Sequence, residues 1–129
     1  MIEYRTSPEP PHLTIHLSGT VSEDDVHGQF QEFEDVLATL PSGYVALVDC
    51  LEPTYLTPTA AGPLYYHAVQ ALDTDPGLTV LLYGERDPEP HLSAFLRRVV
   101  PGNRVRIVQS KAEAQRLIER YRTGTLSVD

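Results

Sequence analysis

Cysteine is nearly absent from this chain, and tryptophan is absent altogether. The single cysteine, Cys50, excludes an internal disulfide framework and a structural zinc site built on several cysteines. No apolar run approaches the ~20 residues of a membrane-spanning helix, which excludes an integral helical membrane protein. The first residues lack a basic stretch followed by an apolar one, so we expect no secretory signal peptide and predict a cytoplasmic protein.

Basic residues are also scarce. Ten lysines and arginines stand against 18 aspartates and glutamates, which gives a net charge of −8. A surface of this sign repels nucleic-acid phosphates and anionic lipid headgroups, so we expect neither nucleic acid nor a membrane as a partner. The remaining composition is typical of one globular domain, with 129 residues of which 41% are hydrophobic and 22% charged.

The hydrophobic pattern predicts five strands of two kinds. The strand at residues 13–18 alternates apolar and polar residues, as does the strand at 104–109, which is typical of strands with one solvated face. The strands at 44–49 and 78–83 are apolar almost throughout, as strands buried on both faces are. We therefore expect the first pair near the sheet edges and the second pair at the centre. A short strand at 2–6 completes the set.

Four helices are predicted. Ser22 is the expected N-cap of the first, which carries apolar residues at spacings of three and four. Thr57 and Pro58 fit the cap and the first position of the second helix. A shorter helix is expected at 91–100, and Ser110 begins the last helix with the residue pattern of a capping box.

The predicted element order is ββαβαβαβα. Strands that alternate with helices imply right-handed crossovers and a mostly parallel sheet. We therefore predict one α/β domain over residues 1–122, with four or five strands and about four helices, followed by a flexible tail at 123–129. If the helices cover only one face, Ala46 and Val48 leave the other face apolar, and a partner or a second copy is expected there.

Residues 48–61 connect a central strand to the second predicted helix. They read VDCLEPTYLTPTAA, which is an aspartate at a strand end, a turn, and a threonine-rich helix start. In this region and in its element order the chain resembles the STAS and anti-sigma-factor-antagonist family, over about residues 12–122. It is also similar to a group of STAS-like bacterial proteins of unknown function, which lack the family's phosphorylation motif.

The resemblance implies roles for individual residues. Asp49 corresponds to the family's strand-end aspartate, and Tyr55 and Leu56 correspond to the apolar pair before its motif. Thr57 corresponds to the motif's aspartate, and Thr59 to its phosphorylatable serine or threonine. Phosphorylation in the family switches binding to a kinase-like partner. The resemblance therefore implies a non-catalytic regulatory domain, with Thr59 as the candidate phosphoacceptor and a kinase-like or sigma-regulatory protein as its partner.

Two interpretations of Thr59 stay open. Among the motif positions only Thr59 keeps its chemical type, because Thr57 replaces the acidic residue and Ala60 replaces the glycine. A phosphate at a helix start meets free N–H groups and the positive end of the helix dipole, which permits a phosphoacceptor there. The alternative is an ordinary residue of the first helical turn.

The stretch from Tyr55 to Tyr66 is the predicted partner surface. The partner hypothesis predicts an exposed apolar or aromatic patch around Leu56, Pro63 and Tyr66, because tyrosine offers a large contact area with a polar end. Packing of the tyrosines against the sheet is the alternative. A homodimer through the uncovered sheet face is compatible with this hypothesis and with those that follow.

A small-molecule cleft is the second hypothesis. Ligands of α/β proteins bind at the carboxyl ends of parallel strands, and Asp49 and Cys50 end one predicted strand. Glu85 and Arg86 follow another, so a cleft for a small apolar or anionic ligand would lie near these four residues. The alternatives are an inert buried thiol for Cys50 and a solvated loop for Glu85 and Arg86.

An enzyme is the third hypothesis and ranks below the other two, because the sequence carries no recognisable catalytic motif. Cys50 has no adjacent histidine, no serine lies in a nucleophile elbow, and no glycine-rich phosphate loop is present. We therefore expect no enzymatic activity and no cofactor. We also expect no metal, because the histidines lack ligand spacing; they are His12, His16, His27, His67 and His91.

Overall fold

The fold was analysed in a computed structural model. It describes residues 1–8, 10–52, 54–72, 74–84, 98 and 104–128. The elements along the chain are β1 (Ile2–Pro8), β2 (Pro11–Leu17), β3 (Gly19–Val21), α1 (Glu23–Leu37), β4 (Val45–Cys50), β5 (Thr54–Leu56), α2 (Ala61–Leu72), β6 (Leu78–Tyr83), β7 (Val105–Val108) and α3 (Lys111–Arg122).

One mixed sheet of five strands forms the centre of the protein, in the order β1-β2-β4-β6-β7. Strands β1 and β2 are antiparallel, and all the other neighbours in this sheet are parallel. The predicted α/β class and mostly parallel sheet are therefore confirmed. The apolar strand β4 lies in the middle, and the alternating strand β7 lies at one end of this order.

A second sheet consists only of β3 and β5, which pair in parallel. The sequence did not predict it. Each strand has three residues, which is too short for an alternating pattern to be distinguishable from loop sequence.

The described residues contain three helices, against about four predicted. The predicted helix at 91–100 lies outside the described residues except for Arg98. Ser22 is the N-cap of helix α1, as predicted. Its hydroxyl accepts from the Asp25 N–H at 3.2 Å, and the Ser22 backbone N–H donates to the Asp25 carboxylate at 2.9 Å. These bonds to the charged form lower the pKa of Asp25. None of the described helices is long and apolar enough to cross a bilayer.

Helix α2 begins three residues later than predicted. The Thr57 N–H donates to the Val21 carbonyl at 3.0 Å, which keeps Thr57 at the end of the small sheet instead of at a helix cap. A turn follows, in which the Ala60 N–H donates to the Thr57 carbonyl at 3.0 Å. The helical pattern starts with the Leu64 N–H, which donates to Ala60 at 3.1 Å.

Helices cover both faces of the sheet centre, so the one-sided arrangement that would leave an apolar face uncovered does not occur in this part of the sheet. Ala46 and Val48 belong to an apolar cluster that also contains side chains of α1 and α2. Val45 and Leu47 belong to a second cluster, which contains side chains of α3. Because side chains alternate along a strand, β4 supplies both clusters at once. Leu126, in the segment predicted as a tail, is also buried in the second cluster.

Candidate functional site

The small sheet fixes the segment that leads into α2. Val21 and Leu56 lie opposite each other in its register, and both contribute to the first apolar cluster. The Thr54 hydroxyl donates to the Leu17 carbonyl at 3.2 Å, which ties β5 to the end of β2. Tyr55, between Thr54 and Leu56, therefore points away from the core.

We define the β5–α2 surface by three exposed side chains: Tyr55, Thr59 and Tyr66. The Tyr55 side chain is 72% exposed and the Tyr66 side chain 61%, and they are two of the three exposed large hydrophobic residues in the described part of the chain. Thr59 is exposed in the turn before α2. Leu56 and Pro63, which we expected to be exposed as well, are half-buried.

Thr57 does not have the role predicted for it. It was predicted to cap α2, but its hydroxyl oxygen is buried and has no hydrogen-bond partner among the described residues. Its backbone N–H is engaged by Val21, as described above. Thr57 thus belongs to the structural support of the surface, and Thr59 is the threonine that is exposed in this segment.

Asp49 and Cys50 lie on opposite faces of the main sheet. Cys50 is 7% exposed and packs in the cluster with α1 and α2. The Asp49 carboxylate lies on the other face, 3.4 Å from His16 Nδ1, and its second oxygen accepts from the Leu51 N–H at 3.1 Å. Their predicted neighbours Glu85 and Arg86 lie outside the described residues.

Sequence reasoning missed the pairing of His16 with Asp49. Their strands run in parallel with these two residues in register, which brings together side chains 33 positions apart. Glu52 lies 3.7 Å from the other ring nitrogen of His16. No group of three or more metal-ligating side chains that could hold a metal ion occurs in the described ranges.

The burial of His67 was not predicted either, because it depends on how α2 packs against α1. The His67 ring stacks on Phe30 of α1 with centroids 4.4 Å apart and planes at 11°, and it is only 8% exposed. Its Nδ1 has no hydrogen-bond partner among the described residues. Burial lowers the pKa of His67, and the nearby Gln70 and Glu34 oppose that shift only in part.

The buried His67 makes stability depend on pH. Its pKa is lower in the folded chain than the usual value near 6.5, so the unfolded chain takes up the proton first. The free energy of unfolding should therefore fall as the pH drops below about 6.5. In His67→Phe, which keeps a ring against Phe30, this part of the pH dependence should disappear.

Urea unfolding of both proteins between about pH 7.5 and pH 5.5 measures this effect. The difference between the proteins is the relevant quantity, because burial and Arg122 also lower the pKa of His12 in both. Equal pH dependence in the wild type and His67→Phe would contradict the assignment to His67.

Comparisons with known proteins found no relative of this chain. No protein-family model, no curated protein and no solved structure matches it.

Proposed function

We propose that this protein is a non-catalytic regulatory or interaction domain that binds a protein partner through the β5–α2 surface. The observation that carries the proposal is the exposure of two tyrosines, Tyr55 at 72% and Tyr66 at 61%, which precede and follow the exposed Thr59 in the sequence. Exposed aromatic rings are enriched at protein interfaces, where their burial contributes most of the binding energy.

The support beneath the surface favours this role. Thr54 is hydrogen-bonded to Leu17, and Leu56 packs against the first apolar cluster, so Tyr55 projects from a segment held at both of its neighbours. The Tyr66 hydroxyl accepts from the Gln70 side chain at 3.0 Å, which orients the second ring. Side chains oriented before binding lose less conformational entropy in the complex.

Thr59 is the proposed site of regulation. It is exposed in the turn that precedes α2, where a phosphate would lie near the first N–H groups of the helix. A phosphate adds a charge of about −1.5 to −2 at neutral pH, at a position between the two tyrosines in sequence. Because the chain resembles the STAS family, the proposed partner is a kinase-like or sigma-regulatory protein. Phosphorylation of Thr59 would change the affinity of the chain for this partner.

A small-molecule cleft receives less support. It was predicted at the carboxyl ends of the strands near Asp49 and Cys50, and these two side chains lie on opposite faces of the main sheet. The partner hypothesis is therefore better supported, and retention of a small molecule is one outcome of its test.

The test is a site-specific photocrosslinking experiment in cells that produce the protein. A photoreactive residue replacing Tyr66 should yield a defined crosslinked protein, whereas the same residue replacing the exposed Gln115 of α3 should not. With the crosslinked protein identified, Tyr55→Ala/Tyr66→Ala should weaken its binding by about tenfold or more, because interface tyrosines are frequent hot spots.

The control is the stability of the double variant. Both tyrosines are mostly exposed, so its free energy of unfolding should differ from that of the wild type by about 0.5 kcal/mol or less. Equal crosslinking from positions 66 and 115 would argue against the proposal. A small molecule retained in native but not in denaturing mass spectra, without a crosslinked protein, would favour the cleft instead.

A further inference from the structure

Strand β1 lies at one edge of the main sheet. In the described part of the chain, β1 has a hydrogen-bonded neighbour on one side only, namely β2. Met1 and Ser18 exchange two backbone hydrogen bonds across this pair. Hydrogen-bonded pairs alternate with non-bonded pairs in an antiparallel ladder, so the N–H and C=O groups of Ile2, Tyr4 and Thr6 point to the free edge.

The side chains of β1 carry opposite charges two positions apart. Glu3 and Arg5 lie on the same face of the strand, and both are exposed. If a second β1 pairs antiparallel to the first about a twofold axis at Tyr4, Glu3 lies directly opposite the second copy's Arg5, and Arg5 opposite its Glu3. The strand is therefore complementary to itself in charge.

The backbone agrees with the same register. An axis at Tyr4 joins Ile2 to the second copy's Thr6, Tyr4 to Tyr4, and Thr6 to Ile2. These three residues are the ones whose backbone groups face the free edge, and each of the three pairs can exchange two hydrogen bonds. Glu3 and Arg5 then form non-hydrogen-bonded pairs, in which opposing side chains lie closest.

Neighbouring registers are worse on electrostatic grounds. An axis at Glu3 places the two copies of Glu3 opposite each other, and an axis at Arg5 does the same for the arginines. Like charges directly opposite each other destabilise a strand pair. If the axis lies between two residues, each residue whose backbone groups face the free edge lies opposite a residue whose backbone groups face β2. Only the axis at Tyr4 satisfies both the charges and three hydrogen-bonded pairs.

We propose that two copies of this chain form a homodimer by antiparallel β1–β1 pairing about Tyr4, which joins their five-stranded sheets into one. Helix α1 prepares the centre of this interface: the Tyr4 hydroxyl donates to Glu32 at 3.1 Å, and its ring packs on the edge of Phe33 with centroids 5.8 Å apart. Charged residues on an edge strand usually discourage pairing, and here they select one partner and one register. The dimer goes beyond the proposed function and uses a different part of the surface.

The test is a charge-swap series measured by sedimentation equilibrium at low salt. The wild type should dimerise. Glu3→Arg and Arg5→Glu should each raise the dimer Kd by about tenfold or more, because each opposes like charges twice across the axis. The double variant Glu3→Arg/Arg5→Glu restores both opposite-charge contacts, so its Kd should return to near the wild-type value. Glu119→Arg, the same charge change on the exposed side of α3, should leave the Kd unchanged.

Circular dichroism and urea unfolding report whether each variant folds. If a charge reversal prevents folding, Glu3→Gln and Arg5→Gln provide the second measurement, since each weakens the proposed contacts without repulsion. A wild-type protein that stays monomeric overturns the proposal, as does a dimer whose Kd is the same in all charge variants. A dimer that is lost in both single variants and not recovered in the double variant also overturns it.

Discussion

Replacing Gly77 with alanine is expected to lower the free energy of unfolding by about 3 kcal/mol, since inserting a methyl group into a close-packed site forces its neighbours apart. A Cβ atom at this position would lie 1.7 Å from the Tyr121 hydroxyl oxygen and 2.6 Å from the Tyr121 Cζ. It would also lie 2.9 Å from the carbonyl oxygen of Gly43. All three distances are shorter than any real contact of a Cβ atom, so the surroundings must move.

The surroundings of Gly77 resist that movement. The Tyr121 hydroxyl donates to the Gly43 carbonyl at 2.8 Å, which ties α3 to the loop before β4. The Gly43 N–H donates to the Asp75 carbonyl, and the Gly77 N–H to the Tyr44 carbonyl, each at 2.9 Å. Gly43 itself has φ +86°, a left-handed backbone conformation that favours glycine. A shift of the Gly43 carbonyl would have to change this conformation. The added methyl group therefore strains two loops and a helix together.

Urea unfolding measures this loss, and Gly28→Ala is the matched control. A Cβ atom at Gly28 has no neighbour within 4 Å, and the residue lies inside α1, where alanine is the better helix former. The control should be neutral or stabilising by up to about 1 kcal/mol. In the double variant Gly77→Ala/Tyr121→Ala the ring contact is gone, so Gly77→Ala should cost less there than in the wild type. A Gly77→Ala protein as stable as the wild type would show that the three contacts relax without cost.

The parts of the fold that depend on local periodicity could be predicted from the sequence. The alternation at Leu13, Ile15 and Leu17 indicated a strand with one polar face, and β2 indeed has one side in the first cluster and polar residues on the other. The continuous apolar runs identified β4 and β6 as interior strands. These patterns follow from which side of a strand contacts a helix, a property that repeats every second residue.

Features that join distant residues could not be predicted in this way. The bond from Tyr121 to Gly43 spans 78 positions, and nothing near either residue indicates the other. The His16–Asp49 pair depends on the relative register of β2 and β4, which the residue types alone do not specify. The small β3–β5 sheet shifted the start of α2, because it holds Thr57 where a cap was expected.

The candidate site shows both limits within one helix. Adjacent residues of a helix point about 100° apart, so the run Tyr65-Tyr66-His67 indicated that only some of its members face solvent. Which ones depends on where α2 lies against α1. The structure turns Tyr66 outward and buries His67 against Phe30. The roles of Tyr55, Thr59 and Tyr66 in binding stay predictions, which the crosslinking experiment addresses.

Phe33→Ala should have the second large effect, a loss of about 4 kcal/mol in the free energy of unfolding. Phe33 is 2% exposed, and its ring lies edge-on to Phe30 with centroids 4.5 Å apart and to Tyr4 with centroids 5.8 Å apart. Truncation loses the transfer free energy of the ring and leaves a cavity between α1 and the sheet, which the two neighbouring rings can fill only in part. For a domain of ordinary stability, about 5–15 kcal/mol, the change removes a large fraction of the total.

The matched control is Tyr66→Ala, which also truncates an aromatic ring on a helix but at a position 61% exposed. Its expected effect is about 0.5 kcal/mol or less, because surface truncations open no cavity. Urea unfolding of the two variants under one condition separates burial from aromatic character as the cause. Losses of equal size would contradict the placement of Phe33 in the core.

Since Phe33 also packs against Tyr4, a folded Phe33→Ala protein should dimerise more weakly than the wild type if β1 forms the proposed interface, whereas Tyr66→Ala should not.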